Sequence, residues 1–554
     1  MAIIEHMKNS DFKGVSHGLA ALALIAGTPA ALADSVIWIA GNGAWENATN
    51  WSGGQAPGAE DFAVLGKALS PTITSTAADN IALELRNSDN INVTAGKLTV
   101  LGTIQTIAMG TFSVLNGAKV DAGRVSHEAG NGAAFLVDGT GSAVSVVQGV
   151  FNSGKMVIAS DATLDAESID NFAVLAVESG AQVTANSMIT WAFGSPFSHS
   201  GSATSVTGAG SALTIHGALT NQDQVLVSDG GLLETDSIDV TADGALTPAG
   251  LAATSGGRIT TQSVINHGFV QVHSGGSPAT EGARLEVSNL FTNHGTMQVM
   301  AGTTANIAAL DNRASATIEG GSLSGQEFAN SEDGSLTLTN GATVTFDDAI
   351  SASRFGISID GVQATLKTVK FQQLSGTTFI NGGTLGASGE FGVQFAGGEL
   401  TGHGIIAGKL TMSVAGVLIP GDTLDATQRF DVTAGLDLLG GTFAVDLGGT
   451  SSGDYDLLDV AGVATLGGIL KISLLDGFDP VLGDAFDIIL ADSISGAFGT
   501  VLLPTLGDGL EFTTFNGGSF FRLQVAAVPL PAPALLLGGA LAVLCWAARR
   551  RQRV

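Results

Sequence analysis

One pattern recurs through the middle of this 554-residue chain and leaves few folds open to it. A short apolar stretch meets an Asn, then a Gly or another small residue, then a run of alternating β-forming residues. Phe151-Asn152-Ser153-Gly154 leads into Lys155-Met156-Val157-Ile158, and Asn171 leads into Phe172-Ala173-Val174-Leu175-Ala176-Val177. Ile265-Asn266-His267-Gly268 leads into Phe269-Val270-Gln271-Val272, and Thr292-Asn293-His294-Gly295 into Thr296-Met297-Gln298-Val299. Leu310-Asp311-Asn312 and Phe328-Ala329-Asn330 follow the same plan. From Asn152 to Asn171 is 19 residues; from Asn266 the steps are 27 to Asn293, 19 to Asn312 and 18 to Asn330. A period of that size suits one coil of a β-solenoid. The uneven spacing is what loop insertions on one face produce.

A single such coil cannot bury its own apolar residues. Stacking coils about 4.8 Å apart puts their inward Val, Leu, Ile and Phe into one shared core. Gly supplies the positive-φ corners, while Asn tolerates a left-handed turn and is able to build a side-chain ladder between coils. The expected fold is therefore all-β: a parallel β-helix over residues 66–440, with an N-terminal cap over 34–65 and a C-terminal β-module over 441–527. A string of β-sandwiches is the competing arrangement.

Composition fits export better than a cytosolic enzyme. Only 13% of residues are charged, against a usual quarter, while 77 are Gly and 45% hydrophobic. Residues 1–33 read as a signal peptide: Lys8 and Lys13 precede an apolar core, and Ala31 and Ala33 form the small-x-small site for signal peptidase. At the other end Ala532–Ala548 is apolar and reaches about 25 Å as a helix, near the lower limit for a transmembrane span. Arg549, Arg550, Arg551 and Arg553 follow and would stay cytoplasmic. The formal net charge is −28. Removing both ends takes away mostly basic residues, so the remaining surface is more acidic still and repels nucleic acid. Cys545, the one cysteine, lies in the tail, which leaves the body without disulfide or thiol chemistry.

Immediately before the tail helix stands Val528-Pro529-Leu530-Pro531-Ala532. Together with the apolar helix and Arg cluster, residues 528–554 resemble the VPLPA-CTERM variant of PEP-CTERM-type sorting signals. That resemblance implies a Gram-negative host and cleavage by an exosortase-like transpeptidase. It also implies association with extracellular polysaccharide or biofilm matrix. The segment with Trp38, Trp45 and Trp51 resembles the opening of autotransporter-like passenger β-helices. Those three Trp are either a cap over the open solenoid end or a platform for stacking sugars. The run from Gly397 to Asp422, and the strands around Phe443–Leu447, Tyr455–Val460 and Ala485–Ile489, resemble the closing modules of such passengers. An autotransporter's outer-membrane barrel needs many strands and aromatic girdles. One Tyr and five Trp do not supply them, and no barrel is expected.

Candidate chemistry is sparse. A glycosidase needs two carboxylates about 5–9.5 Å apart, which neighbouring coils are able to supply. A lyase needs a basic residue near a cation, and Arg258, Arg284 and Arg313 are spread along the chain. His267 and His294 occupy equivalent Asn-His-Gly positions, either as tolerated turn residues or, if their coils are neighbours, as metal ligands without a third partner. The acidic runs Asp454, Asp456, Asp459 and Asp476, Asp479, Asp484, Asp487 lack EF-hand or nonapeptide spacing, which leaves at most weak Ca2+ binding. No catalytic, cofactor or metal residues are assigned. The expected role is a non-enzymatic, adhesin-like surface protein, passing through an inner-membrane intermediate to the cell surface. A β-helical polysaccharide lyase or hydrolase is the alternative.

Overall fold

The computed structural model describes residues 34–66, 72–75, 79–129, 134–192, 203–241, 249–275, 282–352, 356–421, 427–475, 477–528 and 532–551. The signal peptide with Ala31 and Ala33 lies outside them, as do Pro529, Leu530, Pro531 and Arg553. Among the described residues, strands make up 67% and helix 3%. From Ser35 to Leu502 the strands pair in parallel, each with strands one coil before and one coil after it. Thr163–Asn171 lies between Ala143–Asn152 and Gln182–Thr190, and Val174–Glu178 lies between Lys155–Ala159 and Ala203–Thr207.

Each coil therefore has one long strand and one short one. The long strand bends midway, where the register slips, as between Ile215 and Ala218 or Val287 and Leu290. Three straight runs result, and alternation within each sends every second side chain inward. In one coil Leu164, Ala166, Ile169, Asn171, Leu175 and Val177 are the inward set. Buried apolar residues from Trp38 to Val525 join in one continuous cluster. A string of sandwiches would break that cluster into separate cores, and it is excluded. The fold is a parallel β-helix.

One column of register partners shows how the repeat works. It climbs one coil per step through Asn87, Thr106, His127, Asn152, Asn171 and Thr190. It continues through Asn221, Val240, Asn266, Asn293, Asn312 and Asn330. The recurring Asn thus sits at a corner, but not in left-handed backbone as expected. None of these Asn has a positive φ. That conformation belongs to a different turn, at Asn116-Gly117, Ser179-Gly180, Asp229-Gly230 and Asn340-Gly341, where two residues in succession have positive φ. The column Asn are buried inside. Asn266 Nδ2 donates to Asn293 Oδ1 at 2.8 Å, Asn293 to Asn312 at 2.7 Å, and Asn312 to Asn330 at 2.8 Å. The same nitrogens also donate to the carbonyls of Thr296, Ser315 and Ser335.

The two ends differ. At the N-terminal end Trp38, Trp45 and Trp51 are fully buried and pack edge-on, with ring centres 5.0 and 4.8 Å apart. They close the core, and no ring face is left for a sugar. Parallel coils run on across residues 440 and 441, with Thr442–Leu447 pairing Ile469–Leu474 and Leu457–Leu466 pairing Ala485–Gly496. Pairing changes only at the last hairpin, Leu510–Asn516 with Phe520–Ala527, which lies antiparallel on Ala485–Gly496 and ends the solenoid. Arg522 clamps it there with two bonds to Asp487, at 2.6 and 2.9 Å. Val528 N–H still bonds the module through Gly509 O at 2.8 Å. The helix Ala532–Arg551 then forms where the apolar tail was expected, taking Arg549, Arg550 and Arg551 into its last turn. Among the described residues no helix is long and apolar enough to cross a membrane.

Candidate functional site

The bend in each long strand recurs at the same place in successive coils, and stacked bends form a groove along the side of the solenoid. One polar stretch of it, about 220 Å³, crosses four coils and is lined by Thr214, His216, Glu234, Asp236, Thr260, Gln262 and Ser288 among others. His216, Glu234, Asp236 and Gln262 face solvent, and Gln262 Nε2 donates to Asp236 Oδ1 at 2.7 Å. Beneath them Thr235 is buried, its hydroxyl bonding Gly217 O at 2.9 Å and Ser237 O at 3.1 Å, which holds the bend. A second stretch of about 340 Å³, lined by Thr345, Asp347, Lys367 and Ser388 with Phe346 and Val369, lies over later bends.

Glu234 and Asp236 are two residues apart on one strand, roughly 6.6 Å along it. The grouping with His216 and Gln262 is invisible along the chain, because those residues join the pair only when bends are aligned across coils. Arg258 lies on the same flank but is committed to Glu286 of the next coil at 2.6 Å. Arg313 is likewise held by Asp311 at 2.7 Å and Glu332 at 3.1 Å. Arg258 and Arg313 therefore tie coils together. Lys97 with Asp121 and Arg429 with Asp459 do the same.

The acidic runs do not converge. Asp456 is buried and accepts the N–H groups of Gln428 and Asp446, both at 2.9 Å. Asp459 pairs with Arg429, Asp487 with Arg522, and Asp484 accepts Val481 N–H. Asp476 lies outside the described residues. Among the described residues no group of three or more His, Cys, Asp or Glu is placed to hold a metal ion. His267 and His294 do fall on neighbouring coils, their rings parallel within 6° and 4.8 Å apart at the centres.

Two buried groups have strongly displaced ionisation. His127 is buried at a ladder position, and burial pushes its pKa down to about 4, with the Lys155 backbone pulling the other way. Burial pushes the Asp456 carboxyl up to about 8, against the pull of its two N–H donors.

No protein-family model and no curated protein matches this chain. What it does has to be argued from its own residues.

Proposed function

We propose that this chain is an exported structural protein of the cell surface, adhesin-like, which presents a long acidic solenoid to extracellular polysaccharide. The observation that carries the reading is the single continuous core: the side surface is built from stacked coils, and the polar groove over Thr214, Glu234, Thr260 and Ser288 is open to solvent. Small polar side chains on its walls suit hydrogen bonding to hydroxyl-rich chains. The net charge of −28 selects neutral or amino-bearing glycans over anionic ones. Val528-Pro529-Leu530-Pro531-Ala532, the helix after it and the arginines at the end would serve as the sorting signal, holding the chain in the inner membrane until an exosortase-like transpeptidase releases it. Intact-mass measurement on protein recovered from cells tests this route. Masses beginning at Asp34 and ending near Val528 support it; a product retaining Arg549–Arg553 would leave a plain tail anchor.

A second reading, a polysaccharide hydrolase, has one observation in its favour: two exposed carboxylates, Glu234 and Asp236, line the same groove, and a glycosidase uses such a pair. Reducing-end release from neutral and acidic glycans by wild type but not by Glu234→Gln would establish it. Binding without release, unchanged by that substitution in turnover, leaves the adhesive reading standing.

A further inference from the structure

We propose that His267 and His294 form a two-point site for a borderline transition-metal ion, of the Cu2+ or Zn2+ class, on an outer corner of the solenoid. Both follow a ladder Asn, and the ladder fixes where they stand. Asn266 is in register with Asn293 and bonded to it, so the residues after them are stacked as well. His267 N–H donates to Val240 O at 2.8 Å and His294 N–H to Asn266 O at 2.7 Å, one coil apart. Both side chains are exposed, and their rings stack on each other across the coils.

Two imidazoles hold one ion at about 2.0–2.1 Å each, so their nitrogens must come within roughly 4 Å. Ring centres already at 4.8 Å close that gap by tilting toward each other about the free side-chain torsions. The backbone does not have to move, so little ordering remains to oppose binding. Imidazole favours Cu2+, Ni2+ and Zn2+ over Ca2+ and Mg2+, which need oxygen ligands. Arg313, next along the same corner, does not oppose a cation strongly, because Asp311 and Glu332 already neutralise it. The protein supplies two ligands and water the rest, leaving exchangeable positions open to an outside donor.

The test uses the untagged full-length chain in detergent, titrated with Cu2+ and followed by calorimetry and electron paramagnetic resonance. A spectrum with two nitrogen couplings is expected at one equivalent. His267→Gln and His294→Gln should each weaken that binding about tenfold or more, since the second contact is then no longer intramolecular. His273→Gln, on a neighbouring strand, should leave it unchanged. Circular dichroism checks that each variant is folded. Equal affinity in wild type and both single variants would overturn the proposal. So would displacement of Cu2+ by Ca2+, which would assign the binding to surface carboxylates.

Discussion

The most informative residues are the ones that occupy the same corner and differ. At Asn293 the side chain is acceptor for one coil and donor to the next. Truncating it removes one partner each from Asn266 Nδ2, Asn312 Oδ1 and Ser315 O, at ~1–3 kcal/mol per buried group left unsatisfied. Asn293→Ala should therefore lower unfolding free energy by about 3 kcal/mol in denaturant titration. Asn293→Asp should be no better, because a carboxylate would face the Asn312 oxygen. His127 stands in this column fully buried and takes no part in the Asn-to-Asn ladder. Its folded pKa of about 4 lies below the ordinary 6.5, so the unfolded chain binds the proton more tightly. Stability is intact above pH 6.5 and falls as pH drops toward 4, by up to about 3 kcal/mol at 1.36 kcal/mol per unit. Restoring the ladder residue with His127→Asn should flatten that acid slope, read as the denaturation midpoint at pH 7 and pH 4.5.

Among the elements, the final coils depend on one carboxyl. Asp456 bonds the backbone ahead of Arg429–Val432 and within Thr442–Leu447, while Tyr455 beside it packs edge-on to Phe486 at 5.5 Å. A folded pKa raised to about 8 means the native state holds this proton more tightly than the unfolded state does. The contribution is full below pH 3.8 and declines as pH rises toward 8. Limited proteolysis between residues 440 and 528 should accordingly speed up from pH 5 to pH 8 in the wild type. Asp456→Asn, which does not titrate, should remove that dependence. The same region contains the Arg522–Asp487 clamp, which fixes the antiparallel hairpin over the last coil and protects its edge.

At the scale of the molecule, stability is a sum of coils and the interfaces between neighbours. Several glycines permit that close stacking: a Cβ at Gly257 would collide with the Val227 carbonyl one coil away. Gly257→Ala should therefore lower amide protection in the coils on both sides of it, and the loss should fade with distance, seen by hydrogen exchange. A compact single-core protein would lose protection everywhere at once. The acidic surface, with basic residues such as Lys97, Arg258 and Arg429 paired to carboxylates of the next coil, sets which polymers approach it.

The repeat, its period and the all-β character were legible in the residues themselves, because alternation and recurring Asn-Gly turns are local properties of a chain. The inward face of the Asn was legible too, had its parity been followed. Asn171, Asn266 and Asn293 each come two residues after a buried Ile169, Val264 and Phe291. Three features belonged to the tertiary structure. Glu234, Asp236 and Gln262 meet only because bends from different coils align. His127 is buried because its register with Asn152 puts it in the inward-facing column. Trp38, Trp45 and Trp51 became a lid when they were turned onto the open end of the core. Local pattern decides that a coil forms. Which side chains become neighbours across coils depends on loop lengths between them, and stacking alone resolves that.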